Sequence, residues 1–286
     1  MMNKRIFVLA AVLLFWLAEA SEVEAQRRRR GGSSYAERHL TMPKRTLRID
    51  VGPFERSLSD SGMINGPFSH NGYGLRLEQI DYGADEDLYV TLGTGLSYGI
   101  NDRVEIGGLF LPAILSDQND DADFGDMTTY VRWAFVDKRV FQMGLHGVVQ
   151  FPTRTDFGLG VGLPMNINAG DVIRIETGAE LEVLFDTVDR DGDGNEEAIV
   201  SVDVPIAITG RIARRGFLGG RADLHFFDLG GDDRANDLRP AVGATGGASI
   251  FGRRATIADF TGQMLFFVDD AIDWELTFGA SVSIGL

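Results

Sequence analysis

The last fourteen residues, Asp273 to Leu286, alternate polar and apolar without interruption. Trp274, Leu276, Phe278, Ala280, Val282, Ile284 and Leu286 fall on one side. Asp273, Glu275, Thr277, Gly279, Ser281, Ser283 and Gly285 fall on the other. Successive side chains of a β-strand point to opposite faces, so the pattern predicts a strand with one greasy and one polar face. The rule works backwards along the chain. Over 88–100, Leu88, Val90, Leu92, Leu96, Tyr98 and Ile100 share one face. Ile173, Ile175, Ala179, Leu181, Val183 and Phe185 do so further on, as do Val200, Val202, Val204, Ile206 and Ile208. Over 157–168, Leu159, Val161, Leu163, Met165 and Ile167 oppose glycines and asparagines. Segments 103–112, 126–136, 140–152, 217–227, 241–251 and 255–267 follow the pattern less cleanly.

A soluble sandwich also alternates, so alternation alone does not choose the solvent. Strand length, aromatic placement and loop asymmetry do. Sandwich strands usually run about five or six residues, and these segments are longer. Tyr98, Trp133, Phe151, Phe185 and Trp274 lie towards strand ends on the apolar face, where an interfacial girdle sits. Short turns at Asn101-Asp102, Asp137-Lys138, Ala169 to Asp171, Ala213 to Gly216 and Gly252-Arg253 alternate with longer acidic connections. Those are Ser116 to Asp123, Thr153 to Asp156, Asp186 to Glu197, Gly230 to Asp237 and Asp269 to Asp273. The expectation is an all-β chain, a transmembrane antiparallel up-and-down barrel with short periplasmic turns and longer external loops. Residues 88–286 supply eleven strands, and the topology requires one ascending strand before them, twelve in all. Thr46 to Val51 and Gly72 to Ile80 compete for that place, and the sequence does not choose between them. The residues before 72 are also where a plug is to be sought.

Residues 1–20 read as a signal peptide. Lys4 and Arg5 precede the apolar run Ile6 to Leu17, and Ala18-Glu19-Ala20 supplies a small–x–small cleavage pattern, with Val23-Glu24-Ala25 a second one. As a helix that run spans only about 18 Å, short of a hydrocarbon core of about 30 Å. Residues 21–45 form a flexible basic segment and 46–286 the barrel. Arg27 to Arg30 reads as a solvated tail, a tether to anionic lipid being the alternative. Beyond residue 20 no apolar run approaches the length of a membrane helix. The chain has no cysteine, which excludes disulfides, thiolate metal sites and a lipid-modified N-terminal Cys. A formal charge of −15 argues against nucleic acid as a partner.

Charge on the polar faces must point inwards, because Arg or Lys on a lipid face near the midplane costs roughly 2–4 kcal/mol. The expected lumen-lining groups are Glu105, Arg132, His146, Arg174, Glu176, Glu180, Glu182, Asp203, Arg211, Arg221, Asp223, His225, Asp259 and Glu275. They suit either a wet, weakly selective channel or a salt-bridge network filling a narrow barrel. Asp189, Asp191, Asp193 and Asn195 match the front half of a calcium loop, but Val200 stands where the closing carboxylate belongs. The reading there is a solvated acidic hairpin loop without cofactor, with calcium in 186–197 the alternative. Asp117, Asp120, Asp121, Asp123, Asp232, Asp233, Asp269 and Asp270 keep the external loops acidic and soluble; cation bridging to outer-membrane glycolipid is the other reading. Only His39, His70, His146 and His225 offer imidazoles, and neither GxSxG nor HExxH occurs, so an enzyme is not expected.

Leu40-Thr41-Met42-Pro43-Lys44-Arg45-Thr46-Leu47-Arg48-Ile49 resembles the opening of the outer-membrane transporters grouped with phenol meta-pathway degradation proteins, in which a Leu-Pro-Lys-Gly-like turn precedes the first strand. Here Arg45 stands in place of the glycine, and the chain closes on Leu286 where many such barrels end in Phe. The resemblance implies a porin-like carrier of small, including aromatic, molecules, and it favours Thr46 to Val51 as the first strand. The function read from the sequence is passive passage of small solutes through the lumen. The alternative is a non-conducting anchor barrel displaying acidic loops.

Overall fold

The computed structural model describes residues 40–286 apart from 53–73, 82–85, 117–122, 125–126, 152–156, 171, 189–196, 213–215, 227–228, 230–237, 252–255 and 270–271. Every described element is a strand, and no described helix is long and apolar enough to cross a membrane. The strands are β1 (Thr46–Gly52), β2 (Gly74–Asp81), β3 (Glu86–Asn101), β4 (Val104–Ser116), β5 (Asp123–Phe124), β6 (Met127–Asp137), β7 (Phe141–Phe151) and β8 (Gly158–Gly162). They continue as β9 (Met165–Ala169), β10 (Ile173–Thr177), β11 (Glu180–Val188), β12 (Glu197–Arg211), β13 (Gly216–Phe226), β14 (Leu238–Phe251), β15 (Thr256–Asp269) and β16 (Ile272–Gly285). All pairings are antiparallel, and β16 returns to β1 and β2, so the sheet is closed.

Four pairs of these strands stack end to end, which leaves a closed barrel of 12 crossing positions. The first position resolves the competition between the two early segments: both are in the wall. β1 fills its lower half, pairing Val51 with Ala280, and β2 its upper half, pairing Gly74 with the next residue, Gly279. β3 pairs with both, through Gly52↔Gly93 below and Arg76↔Thr91 above. Neither segment is therefore left over for a loop or the lumen.

A second division falls within the expected strand 157–168. β8 ends at Gly162 and β9 begins at Met165, because Pro164 has no N–H to give to a ladder. The neighbouring position breaks at the same height, between β10 and β11, where Leu163 N donates to Ala179 O at 2.9 Å. One connection is shorter than the sequence suggested. β15 and β16 run on until Asp269 pairs with Ile272, so most of the expected long connection Asp269 to Asp273 belongs to the strands.

Burial is the reverse of that in a soluble protein. Val131, Trp133, Leu145, Ile208, Val242, Ile250, Phe260 and Phe266 are exposed, whereas Arg48, Asp50, Glu105, Arg132, Asp259 and Ser283 are buried. A band of exposed Ile, Val, Leu and Phe this extensive needs an apolar solvent, and a closed sheet is one of two structures that satisfy every backbone group in lipid. The short turns gather at one end with Leu286, whose N–H donates to Arg45 O at 2.8 Å. In an outer-membrane barrel that end is periplasmic.

Candidate functional site

Arg48, Arg174 and Arg221 each pair with an acid on their own strand. Residues i and i+2 of a strand share a face, so an Arg-x-acid run puts both partners on the inner wall. Arg48 Nε meets Asp50 Oδ2 at 3.0 Å, Arg174 Nη2 meets Glu176 Oε1 at 2.7 Å, and Arg221 Nε meets Asp223 Oδ2 at 2.7 Å. Arg221 also reaches Gln263 Oε1 on β15 at 2.9 Å. Asp259 accepts from Ser249 Oγ at 2.5 Å.

The densest cluster lies on β4, β6 and β7 towards the periplasmic end. Glu105 is paired in register with Arg132, and Arg132 with His146. Tyr130 Oη donates to Glu105 Oε1 at 2.6 Å, with its ring folded over Gly107, the residue it faces across the strands. A methyl group at Gly107 would lie 2.6 Å from that ring, so the glycine is what allows the tyrosine to reach the carboxylate. Arg132 Nε donates to His146 Nδ1 at 3.3 Å, while its guanidinium stands 5.4 Å from the Tyr130 ring centre. Nδ1 is thereby the acceptor, which puts the ring's hydrogen on Nε2, the side facing Glu180. Tyr130 and His146 stack at 5.3 Å. Arg48 Nη2 lies 3.8 Å from Glu105 Oε1 and links this cluster to β1.

The chain entering the barrel lies across this cluster from inside. Leu40, Thr41 and Met42 are each 2% exposed. Leu40 N donates to Gln142 Oε1 at 3.1 Å, Leu40 O accepts from Arg132 Nη1 at 3.2 Å, and Met42 N donates to Glu105 Oε2 at 2.8 Å. Thr41 Oγ1 donates to Asp102 O at 3.0 Å, and Ser97 Oγ to Met42 Sδ at 3.3 Å. Lys44 N donates to Asp102 Oδ1 at 3.1 Å and Arg45 N to Gly99 O at 2.8 Å, after which β1 begins. Of the expected flexible segment 21–45, the described part, Leu40 to Arg45, is bound to the wall.

The structure brings together Glu105, Arg132, His146 and Glu180, all buried, with His146 Nε2 4.0 Å from Glu180 Oε1. Glu180 also stands opposite Asp203 in register, and Glu182 packs its Cγ near Gly160. Arg174, Glu176, Arg221 and Asp223 form the separate pairs above, and Arg211 stands half-buried near the lower end of β12. His225 and Glu275 are placed by backbone register alone, opposite Asp203 and Leu265. The calcium-like run Asp189 to Asn195 lies outside the described residues, and among those described no group of acids or histidines is set to hold a metal. Asp117, Asp120, Asp121, Asp232, Asp233 and Asp270 also lie outside them, as do the signal and Arg27 to Arg30. The sequence reading missed Arg48, Asp50, Tyr130, Gln142 and Gln263. Arg48 and Asp50 carried a usable signal, since they alternate with Leu47, Ile49 and Val51.

A closed barrel with an apolar outer belt and an ionic interior defines a transmembrane β-barrel of outer-membrane type. A solved outer-membrane structure shares the fold. An outer membrane channel from Pseudomonas putida F1 matches over 86% of this chain and 97% of its own, at TM-score 0.55 and 10% identity. The NanC porin matches over 74% and 100%, at 0.48 and 13%. The CymD monoaromatic hydrocarbon channel matches over 86% and 89%, at 0.37 and 9%. No family model and no curated protein matches the sequence.

Proposed function

We propose that the chain is an outer-membrane channel through which small solutes pass by diffusion along the inward side chains. One observation carries the reading: the barrel turns its ionisable groups inwards and its Ile, Val and Phe outwards, which builds a polar route through an apolar slab. Export through cleavage after Ala20 or Ala25 would deliver it to that membrane. Acids outnumber arginines among the expected lumen-lining groups, and acids also fill the expected external loops. The pathway therefore favours cations over anions. Small aromatic or hydrophobic compounds are the cargo we propose, on the strength of the Leu40 to Ile49 resemblance. Glycolipid of the surrounding leaflet is the proposed contact of the acidic loops.

A second reading, a non-conducting anchor barrel, is favoured by the close packing of Glu105, Arg132, His146 and Glu180. Proteoliposome swelling separates the two. Permeation of small sugars and cationic solutes supports the channel; swelling no faster than in protein-free vesicles, with the barrel folded, supports the anchor.

A further inference from the structure

At the periplasmic rim the charge changes sign. The external connections are acidic, whereas the other end carries Lys44, Arg45, Arg103 and Lys138, all exposed. These cations stand on one arc, made by the chain entering β1, the β3–β4 turn and the β6–β7 turn. The strands above it are neighbours, since β1 pairs with β3, β3 with β4 and β4 with β6. The backbone of the arc is held in place. Lys44 N donates to Asp102 Oδ1 at 3.1 Å, Arg103 N to Asn101 Oδ1 at 2.8 Å and Lys138 N to Phe141 O at 3.0 Å. The nearby acids are turned to other tasks: Asp102 accepts that backbone N–H, and Asp137 Oδ1 accepts from Gln142 Nε2 at 2.7 Å. Among the described residues no carboxylate forms an ion pair with any of the four cations. An aromatic pair marks the depth of the arc. Ala134 N donates to Arg103 O at 2.8 Å, so Arg103 is level with the residue next to Trp133. Trp133 and Phe135 are 50% and 37% exposed on the outer face, their ring centres 5.7 Å apart. Such girdles sit at the boundary between hydrocarbon and water, so cations just beyond one are at head-group height.

We infer that the arc of Lys44, Arg45, Arg103 and Lys138 binds the phosphate of anionic phospholipid in the periplasmic leaflet. A guanidinium offers phosphate two parallel N–H donors, and an ammonium offers a compact charge. Basic groups beside an anionic leaflet attract its head groups, over about 8 Å at physiological ionic strength. Arg48, Arg174 and Arg221 on the inner wall would have to give up an acid to do this, and the rim cations would not. A dissolved anion would use the cations alone. Trp133 and Phe135 add an apolar surface beside them for the glycerol and upper acyl chains, which assigns the site to a lipid. The connections from β12 to β13 and from β14 to β15 add Arg214-Arg215 and Arg253-Arg254 to the same end in sequence; they lie outside the described residues, and the site is built from the described arc alone. Lipid binding here needs the barrel and its orientation, and does not depend on whether the lumen conducts.

Native mass spectrometry of the folded full chain in neutral detergent tests this, with equal amounts of phosphatidylglycerol and phosphatidylcholine of matched acyl chains. Heat-modifiable mobility in gels confirms that each variant is folded. The expected result is severalfold more phosphatidylglycerol than phosphatidylcholine on wild type. Lys44→Gln with Arg103→Gln and Lys138→Gln should bring the two close to parity, because only exposed side chains change and the backbone bonds of the turns remain. Lys44→Arg with Lys138→Arg should keep the preference, as should Arg239→Gln at the other end of the barrel. No preference in wild type, or an undiminished one in the triple variant, overturns the site. Loss of bound phosphatidylglycerol to excess inorganic phosphate, but not to chloride at equal ionic strength, assigns the arc to the free anion and overturns the lipid. Should the triple variant not fold, Arg103→Gln and Lys138→Gln decide singly, each expected to lower the preference; two unchanged ratios overturn the site.

Discussion

His146 and Glu180 stand two strands apart, yet Nε2 and Oε1 come within 4.0 Å, because Gly162 lies between them in register and contributes no side chain. Both are fully buried. The inner wall thus uses glycine as spacing between large polar groups, much as Gly107 makes room for Tyr130.

Gly162→Val inserts two methyl groups between the imidazole and the carboxylate. Overpacking of this kind costs about 1–3 kcal/mol. Urea unfolding in lipid vesicles should show that loss, while Val161→Leu, on the exposed face of the same strand, should leave the midpoint where it was.

Glu105 accepts from Tyr130 and from Met42, with Arg48 beside it. Glu105→Leu leaves buried guanidinium groups short of their counter-charge, a loss of roughly 3–5 kcal/mol. Glu105→Gln keeps an acceptor and should lose less. Equal unfolding midpoints for the two variants would mean that the carboxylate charge plays no part.

Val131 is 52% exposed near the middle of β6, beside the buried Arg132. Val131→Arg places a guanidinium in the hydrocarbon at a cost of about 2–4 kcal/mol. If refolding into bilayers is as favourable as for wild type, the assignment of faces on β6 is reversed.

Arg45 is the one non-glycine residue among those described with a positive φ, 59°. The left-handed region costs an L-residue about 1–2 kcal/mol, partly offset in glycine by its larger entropy loss. Arg45→Gly should therefore be neutral or slightly stabilising in thermal melts, and Arg45→Val clearly destabilising. Glycine is also what the resembling transporters carry at this turn, so the departure seen in the sequence falls where the backbone bends.

Alternation told which residues share a face, and it followed β16 from Ile272 to Gly285 nearly to the residue. Joined to the alternation of short turns and longer connections, it led to the closed antiparallel barrel and its 12 positions. Period two has no information about what happens along a stave, however. That β1 and β2 share one position follows from pairing with β16 and β3, and the pairs that show it, Val51↔Ala280 and Gly74↔Gly279, join residues more than two hundred apart in the chain. Pro164 announced the break between β8 and β9, and its effect on β10 and β11 required knowing that the two positions are neighbours. Partners of the inner-wall charges were legible only where an Arg-x-acid run lies within one strand, as at Arg221 and Asp223. The seat of Leu40 to Met42 was not legible, because it is built from Glu105, Arg132 and Gln142 on three separate strands.

The central claim is that solutes cross through the lumen. Purified protein in planar bilayers under a potassium chloride gradient tests it most directly. The account predicts discrete conductance steps and a reversal potential of cation-selective sign. A bilayer that stays sealed at high load of folded protein would contradict it.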